Sequence, residues 1–315
     1  MMTFKQLEAI YWVAHLGGFS AAASRLHTTQ SAISKRIQEL EAAFETPLFD
    51  RAQRTARLTE KGSEMFLLAK RLLNERDAAI DAFSRPGTVQ RRVRLGVTEL
   101  TSMTWLPRLV RLIQERYPKV VIEPDVDLSM SLRDKLLADE LDLVVVPDAF
   151  EDARFATRRV GSVASAWMCK PDLMDAGRPI RMRELAAQRL LVQGDRSGTG
   201  IVYGRWFRSQ GIELPSTLVS NNMIALIGMT VAGLGVSYLP SQCLSALVAD
   251  GSLAVLQVSP ALPQVHYTAM HRSEMRGSLI SSIAALAVEC CDFSRLFQTG
   301  ESAGQAAAAA RLPAA

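Results

Sequence analysis

The sequence predicts an α/β protein built in three parts, and three observations carry that prediction. Apolar residues near the N-terminus recur at helical spacing and are broken by a Gly-Gly pair. A three-four apolar spacing then runs from Phe66 to Phe83, and from Arg92 onward strand-like and helix-like segments alternate. At 315 residues, 48% of them hydrophobic, the chain can form two or three domains with sizeable cores. Charged residues are an ordinary 22%, and a net charge of +4 suits a polyanionic partner without identifying one, so the placement of the charges matters more than their sum.

Phe4, Leu7, Ile10 and Ala14 mark a first helix that Gly17-Gly18 ends. Ser20 is predicted to N-cap a second helix, Ala21 to Leu26, and Thr29 a third that runs to about Phe44. Phe49 and Leu58, flanking Arg51, Arg54 and Arg57, suit a small β-wing. Thr59 then caps a long helix. Its residues Phe66, Ala69, Leu73, Arg76, Ile80 and Phe83 trace a coiled-coil seam up to Arg85-Pro86-Gly87. Such a stripe needs a partner, most simply a second copy of itself.

After Arg92 the order is Val93 to Thr98 as a strand, a helix around Leu106 to Tyr117, a strand Val120 to Val126, another helix, and a strand Leu141 to Val146. That order predicts a parallel α/β sheet. A second unit starts near Arg189 to Gln193 and continues through a helix, Met223 to Ala232, into Val236 to Leu239. Two such halves leave a cleft, and ligands bind at the carboxyl ends of the strands. The expected divisions are 1–60 for a winged helix-turn-helix DNA-binding domain, 61–88 for a linker dimerisation helix, 89–300 for two α/β subdomains, and 301–315 for an Ala-rich disordered tail.

On the third helix Ile33, Ile37 and Leu40 form an apolar face, while Ser31, Ser34, Lys35 and Gln38 fall on another. Gln30 and Ser34 are expected to read base edges in the major groove, and Lys35, Arg36, Arg51 and Arg54 to hold phosphates. Any solvated helix carries Gln, Ser and Lys. What distinguishes this one is its context, a Gly-broken helix pair followed by an Arg-rich wing, which is the arrangement that sets a helix into the major groove.

Phe19-Ser20, Ala22-Ala23, Leu26, Gln30, Ser34, Ile37, Leu40-Glu41, Leu48-Phe49, Arg51, Leu58-Thr59 and Gly62 together resemble the signature of LysR-type transcriptional regulators. The resemblance extends through Leu95-Gly96, Leu106-Pro107, Tyr117-Pro118, Leu141-Asp142-Leu143 and the run from Val231 to Pro240, leaving only the tail outside. It implies a homo-oligomer, dimer or tetramer, with paired linker helices and an effector domain similar to periplasmic binding proteins. Activation or repression of a promoter would then follow ligand binding in the cleft. The expected partners are double-stranded promoter DNA, a small-molecule effector, further copies of the chain, and RNA polymerase. Two residues depart from the family pattern: Glu45 and Asp139 stand where glycine is frequent, so either a left-handed helix end at Glu45 carries a small strain cost or the turn there differs.

The first strand of the sheet ends at Thr98-Glu99-Leu100, and Thr101-Ser102 is expected to open the next helix toward the cleft. Ser129 holds the equivalent place after the second strand. In the other half, Gln193 and the stretch Ser220 to Asn222, including Asn221, are expected to close over the same ligand. Each hydroxyl or amide is also an ordinary helix cap, and only their convergence favours a pocket. By resemblance Leu100, Thr101, Ser102 and Ser129 fall where the family binds effectors, and a small polar metabolite is expected there, with Thr101, Ser102 and Ser129 donating to its anionic or carbonyl end. Glu99 is the odd residue, because a carboxylate there pairs with Arg or Lys, meets a cationic or hydroxyl-bearing ligand, or simply caps a helix or faces solvent.

Two rival readings are weaker. An enzyme fused to a DNA-binding module is disfavoured because His15, His27, His266 and His271 are scattered with no nucleophile signature, and the Gly-rich run Gly194 to Gly200 lacks a phosphate-loop ending and reads as a loop beside the cleft. A transporter's solute-binding protein would not carry the N-terminal module. Cys169, Cys243, Cys290 and Cys291 show no CxxC spacing and are expected to be buried thiols. No catalytic residue, metal site or cofactor is therefore expected. With neither an apolar leader nor a membrane span in the sequence, the expected location is the cytoplasm.

Overall fold

A computed structural model describes residues 2–50, 56–83, 89–214, 217–273 and 279–298. The chain divides into two compact units, Met1–Phe83 and Ser84–Ala315.

In the first unit, helix α1 (Phe4–Leu16) opens with a capping box between Thr3 and Gln6 and stops at left-handed Gly17. Its buried face is Leu7, Ala9, Ile10 and Val13, whereas Phe4 is 48% exposed and Ala14 only half-buried. Phe4 lies in the first turn, and its ring carries the Arg76 guanidinium at 5.3 Å. Helix α2 (Phe19–Arg25) begins earlier than expected, with Gly18 at its cap. Ser20 is thus no N-cap; its hydroxyl instead donates to Gln30 Oε1 at 3.2 Å. Helix α3 (Gln30–Phe44) has Thr29 as its N-cap, accepting from Ala32 N.

Strands β1 (Phe49–Asp50) and β2 (Arg57–Leu58) pair antiparallel as the wing, and α4 (Glu60–Phe83) follows. Thr59 Oγ1 accepts from Gly62 N at 2.9 Å and donates to Pro47 O at 2.8 Å. A Cβ at Gly62 would lie 1.9 Å from Leu48 O, so this first turn of α4 packs where only glycine fits. The seam of α4 does not behave as one stripe. Ala69 and Leu73 are buried in the core of the head with Leu7, Ile10, Ile33 and Ile37, and Phe66 stacks on Tyr11 at 5.5 Å. Arg76 pairs with Glu8 at 2.7 Å. The expectation that the whole seam needs a second copy is corrected: four of its six positions, Phe66, Ala69, Leu73 and Arg76, meet α1 or the head core of the same chain. Ile80 and Phe83 stay 56% and 93% exposed.

The second unit runs β3 (Arg92–Val97), α5 (Glu99–Met103), α6 (Leu106–Arg116), β4 (Val121–Val126), α7 (Ser129–Leu137), β5 (Leu143–Pro147) and β6 (Phe155–Val163). It crosses to a second lobe with β7 (Ser165–Cys169), β8 (Ile180–Arg181), α8 (Met182–Leu185), β9 (Leu190–Val192), α9 (Gly198–Ser209), β10 (Thr217–Val219), α10 (Met223–Val231), β11 (Val236–Pro240), α11 (Ser245–Ala249), β12 (Ala254–Leu256) and β13 (Val258–Ser259). It returns through β14 (Val265–Arg272) to α12 (Leu279–Cys290).

Each lobe has a five-stranded sheet, ordered β4-β3-β5-β14-β6 and β10-β9-β11-β7-β12. Both sheets are mixed where a parallel one was expected. Strands β4, β3 and β5 are parallel, but β14 runs antiparallel to β5 and β6, because β6 and β14 carry the chain out to the second lobe and back. Likewise β7 lies antiparallel to β11. Strand β5 is buried on both faces: Leu143 and Val145 point into the large core shared by the lobes, and Val144 and Val146 toward Leu132, Leu136 and Met270. Its uninterrupted apolar run follows from that.

Candidate functional site

On α3, Gln30, Ser31, Lys35 and Gln38 are exposed, and Ser34 and Arg36 are half-buried. The apolar face, Ile33, Ile37 and Leu40, is sealed in the head core, which leaves the polar face to solvent. Gln30 is held by Ser20, and the hydroxyls of Thr29 and Ser31 lie 3.0 Å apart, so the start of the helix is a small polar network. Arg57 is exposed on the wing, while Arg51 and Arg54 lie outside the described residues. Glu41 has a role that residue-by-residue reading missed. Only 9% exposed, its carboxylate accepts from Leu48 N at 2.8 Å and Phe49 N at 3.3 Å, tying the far end of α3 to the wing. A carboxylate next to Leu40, on the edge of the apolar face, was the signal available. Beyond it α3 ends at Glu45 in the left-handed region (φ 48°, ψ 35°), where the strain expected of a non-glycine residue falls.

In the second unit a cavity of about 370 Å³ opens between the lobes, at the carboxyl ends of the parallel strands. Thr98, Glu99 and Leu100 after β3, Asp127 to Ser129 after β4, and Pro147 on β5 line it from one lobe, with Tyr267 of β14. Gln193, Ser197 and Thr199 around the start of α9, and Asn221 to Met223 at the start of α10, line it from the other. Of the residues singled out from sequence, Thr98, Glu99, Leu100, Ser129, Gln193, Asn221 and Asn222 are thus brought together. Thr101 and Ser102 are not among them. Helix α5 starts at Glu99 with Thr98 in the cap position, so residues two and three further on are turned roughly 200° and 300° round the helix. Thr101 is fully buried, its Oγ1 3.5 Å from Thr98 Oγ1, and the Ser102 hydroxyl donates to Glu99 O at 2.7 Å.

Of the readings open to Glu99, the capping one describes it within the chain, in place of a pairing with Arg or Lys. Its carboxylate crosses to the other lobe and accepts from Met223 N at 2.6 Å and Asn222 Nδ2 at 3.2 Å. The lobes also meet where Met130 N donates to Arg196 O at 3.2 Å, and where a Cβ at Gly198 would come within 2.8 Å of Ser129 Oγ. Around these contacts Gln193 Oε1 accepts from Ser197 Oγ, and Asn221 Oδ1 from Gly194 N. Burial tends to raise the Asp127 carboxyl, but hydrogen bonds from Lys135, Ser131 and Leu128 N outweigh it and hold the group below its ordinary range. Burial pushes the Tyr267 phenol up to about 12, against hydrogen bonding with Thr98 and Thr199. Ser197 and Thr199 belong to the Gly-rich run placed beside the cleft, whereas Asp127 and Tyr267 were missed; the signal for Asp127 is its place directly after the end of β4.

All four cysteines are free, three buried and Cys291 half-buried, and burial raises their thiols, to about 11 for Cys243 and about 12 for Cys290 and Cys291. No helix among the described residues is long and apolar enough to cross a membrane.

A helix-turn-helix with a wing on one unit and a cleft between two α/β lobes on the other define a DNA-binding transcriptional regulator with an effector-binding domain. Residues 4–63 match the family model described as a bacterial regulatory helix-turn-helix protein of the lysR family, and residues 86–289 match the LysR substrate binding domain. The chain belongs to the LysR family of bacterial transcriptional regulators, which are not enzymes. It is 28% identical over 259 residues to the uncharacterized HTH-type transcriptional regulator YusT of Bacillus subtilis, covering 82% of this chain and 86% of that one. Among solved structures, a full-length single-substitution variant of OxyR from Pseudomonas aeruginosa aligns with a TM-score of 0.68 at 21% identity, over 95% of this chain and 98% of that one. Full-length CbnR in complex with its target DNA aligns at 0.50 and 22% identity, over 91% of this chain and 99% of that one.

Proposed function

We propose that the chain binds promoter DNA as a homo-oligomer, dimer or tetramer, and switches transcription when a small metabolite fills the cavity between its lobes. The observation that carries this reading is the cavity itself: its lining comes from both lobes, so an occupant touching both biases their relative orientation. In this reading Gln30 and Ser34 contact bases, with Ser31 and Gln38 beside them, while Lys35, Arg36, Arg51 and Arg54 hold phosphates. The CbnR complex with DNA supports the placement of such a head on a duplex. Thr98, Glu99, Leu100, Ser129, Gln193 and Asn221 contact the effector. Segment 1–60 acts as the DNA-binding domain, 61–88 as the dimerisation helix and 89–300 as the effector domain; the expected tail, 301–315, lies outside the described residues. The promoter context implies the cytoplasm and RNA polymerase as a further partner.

Selection of binding sites from a random DNA library by the full chain tests this. A partially palindromic consensus is expected, since two heads read two half-sites. Gln30→Ala and Ser34→Ala should each relax selection at defined positions, a loss of about 1–3 kcal/mol per base contact. Arg36→Ala should weaken cognate and random DNA alike. No enriched sequence, or equal losses on both DNAs for Gln30→Ala and Ser34→Ala, would reject the assignment.

A further inference from the structure

The start of α10 is already saturated from within the chain. The first amides of a helix have no partner inside it and carry the positive end of its dipole, which makes them a receptor for an anion. In this nine-residue helix the Glu99 carboxylate takes Met223 N at 2.6 Å and, weakly, Ile224 N at 3.5 Å, and the Asn222 side chain takes Ala225 N at 2.7 Å. The carboxylate comes from the other lobe, 123 residues earlier in the chain than the Asn222 amide it also accepts from.

The starts of α7 at Ser129 and of α9 at Ser197 also line the cavity, so the bias of its remainder lies in its charged groups. Among the described residues no Lys, Arg or His lines it, and its second carboxylate, Asp127, is held by Lys135 Nζ at 2.8 Å, Ser131 Oγ at 2.6 Å and Leu128 N at 2.7 Å. A free carboxylate entering would meet the Glu99 carboxylate and no cationic side chain in the lining, with Lys135 already committed to Asp127, so only hydroxyls, amides and helix starts would offset its desolvation. Several other polar groups in the lining, among them Ser129, Thr199 and Tyr267, are hydroxyls.

We propose that Glu99 is the specificity-determining residue of this cavity, a tethered carboxylate that occupies the start of α10 and bars organic acids from it, so that the effector is a neutral or cationic molecule presenting hydroxyl or ammonium donors. The inference rests on the reading of the cavity as the effector site.

Sodium acetate is the probe, because acetate is the fragment that Glu99→Ala removes. Melting of the full chain is followed in acetate and in chloride at matched ionic strength. For Glu99→Ala, about 200 mM acetate should raise the effector-domain transition by about 2 °C or more over chloride. Wild type, and Glu99→Gln, whose amide still fills the space, should not respond. Should Glu99→Ala be recovered folded only from acetate and not from chloride, that counts as the same result. An equal acetate response in all three proteins, or in none, overturns the proposal. Failure of the underlying reading looks different: Ser129→Phe, which fills the cavity, would then leave operator binding and its response to cell-extract metabolites unchanged, whatever acetate does to Glu99→Ala.

Discussion

Leu73→Ala and Ile80→Ala, two truncations on one stripe of α4, are expected to fail in different assays. Leu73 is 8% exposed and packs with Ala69 and Ile10 in the head. Its truncation leaves a cavity and should cost about 2–4 kcal/mol of head stability at any protein concentration. Ile80 is 56% exposed, so within one chain its truncation costs little. If a second copy covers it, about half the value of a fully buried isoleucine is at stake, roughly 1–1.5 kcal/mol per copy and 2–3 kcal/mol per dimer. The dimer dissociation constant should then weaken about 30- to 150-fold. Phe83, 93% exposed, has more to lose, and Ile80→Ala with Phe83→Ser should dissociate the dimer at micromolar protein. Sedimentation velocity over a dilution series reads association, and denaturant unfolding of the head reads stability. The reasoning is refuted if the double variant keeps the wild-type dissociation constant, or if Leu73→Ala weakens association without lowering stability.

Gly62→Ala should destabilise the head by about 2 kcal/mol or more, seen as a lower urea midpoint, because the new Cβ meets the Leu48 carbonyl rather than a movable side chain. Glu45→Gly should do the opposite, gaining up to about 1 kcal/mol by relieving a left-handed residue. Asp139, also left-handed (φ 59°), should gain nothing from the same change, since its ion pair with Arg272 is lost. The Asp127 carboxyl is held below its unfolded value, so it contributes stability above that value and loses it as pH falls through the folded one. Asp127→Asn should therefore flatten the fall in urea midpoint below about pH 4, and an unchanged slope would count against it. With burial raising every thiol, Ellman's reagent at about pH 8 should react slowly with the native chain and fully only in denaturant.

Features that depend on neighbours in the chain were legible in the sequence alone. Thr29 and Thr59 cap their helices, Gly17 ends one, and Ile33, Ile37 and Leu40 form the buried face of α3, because caps and periodic faces are settled within a turn or two. The family pattern likewise was readable, since it consists of such local features in fixed order. The strand-end rule also located the cavity and seven of its lining residues. What required the tertiary structure were the partners. A stripe of apolar residues on α4 states that something covers it, and only packing shows that α1 covers Ala69 and Leu73 while Ile80 and Phe83 stay open. An offset of two residues in the start of α5 turned Thr101 and Ser102 away from the cavity, because helical phase converts a small offset into a different face. The antiparallel course of β14 and the reach of Glu99 to α10 depend on where the chain crosses between lobes, a long-range geometry that local propensity and periodicity do not encode.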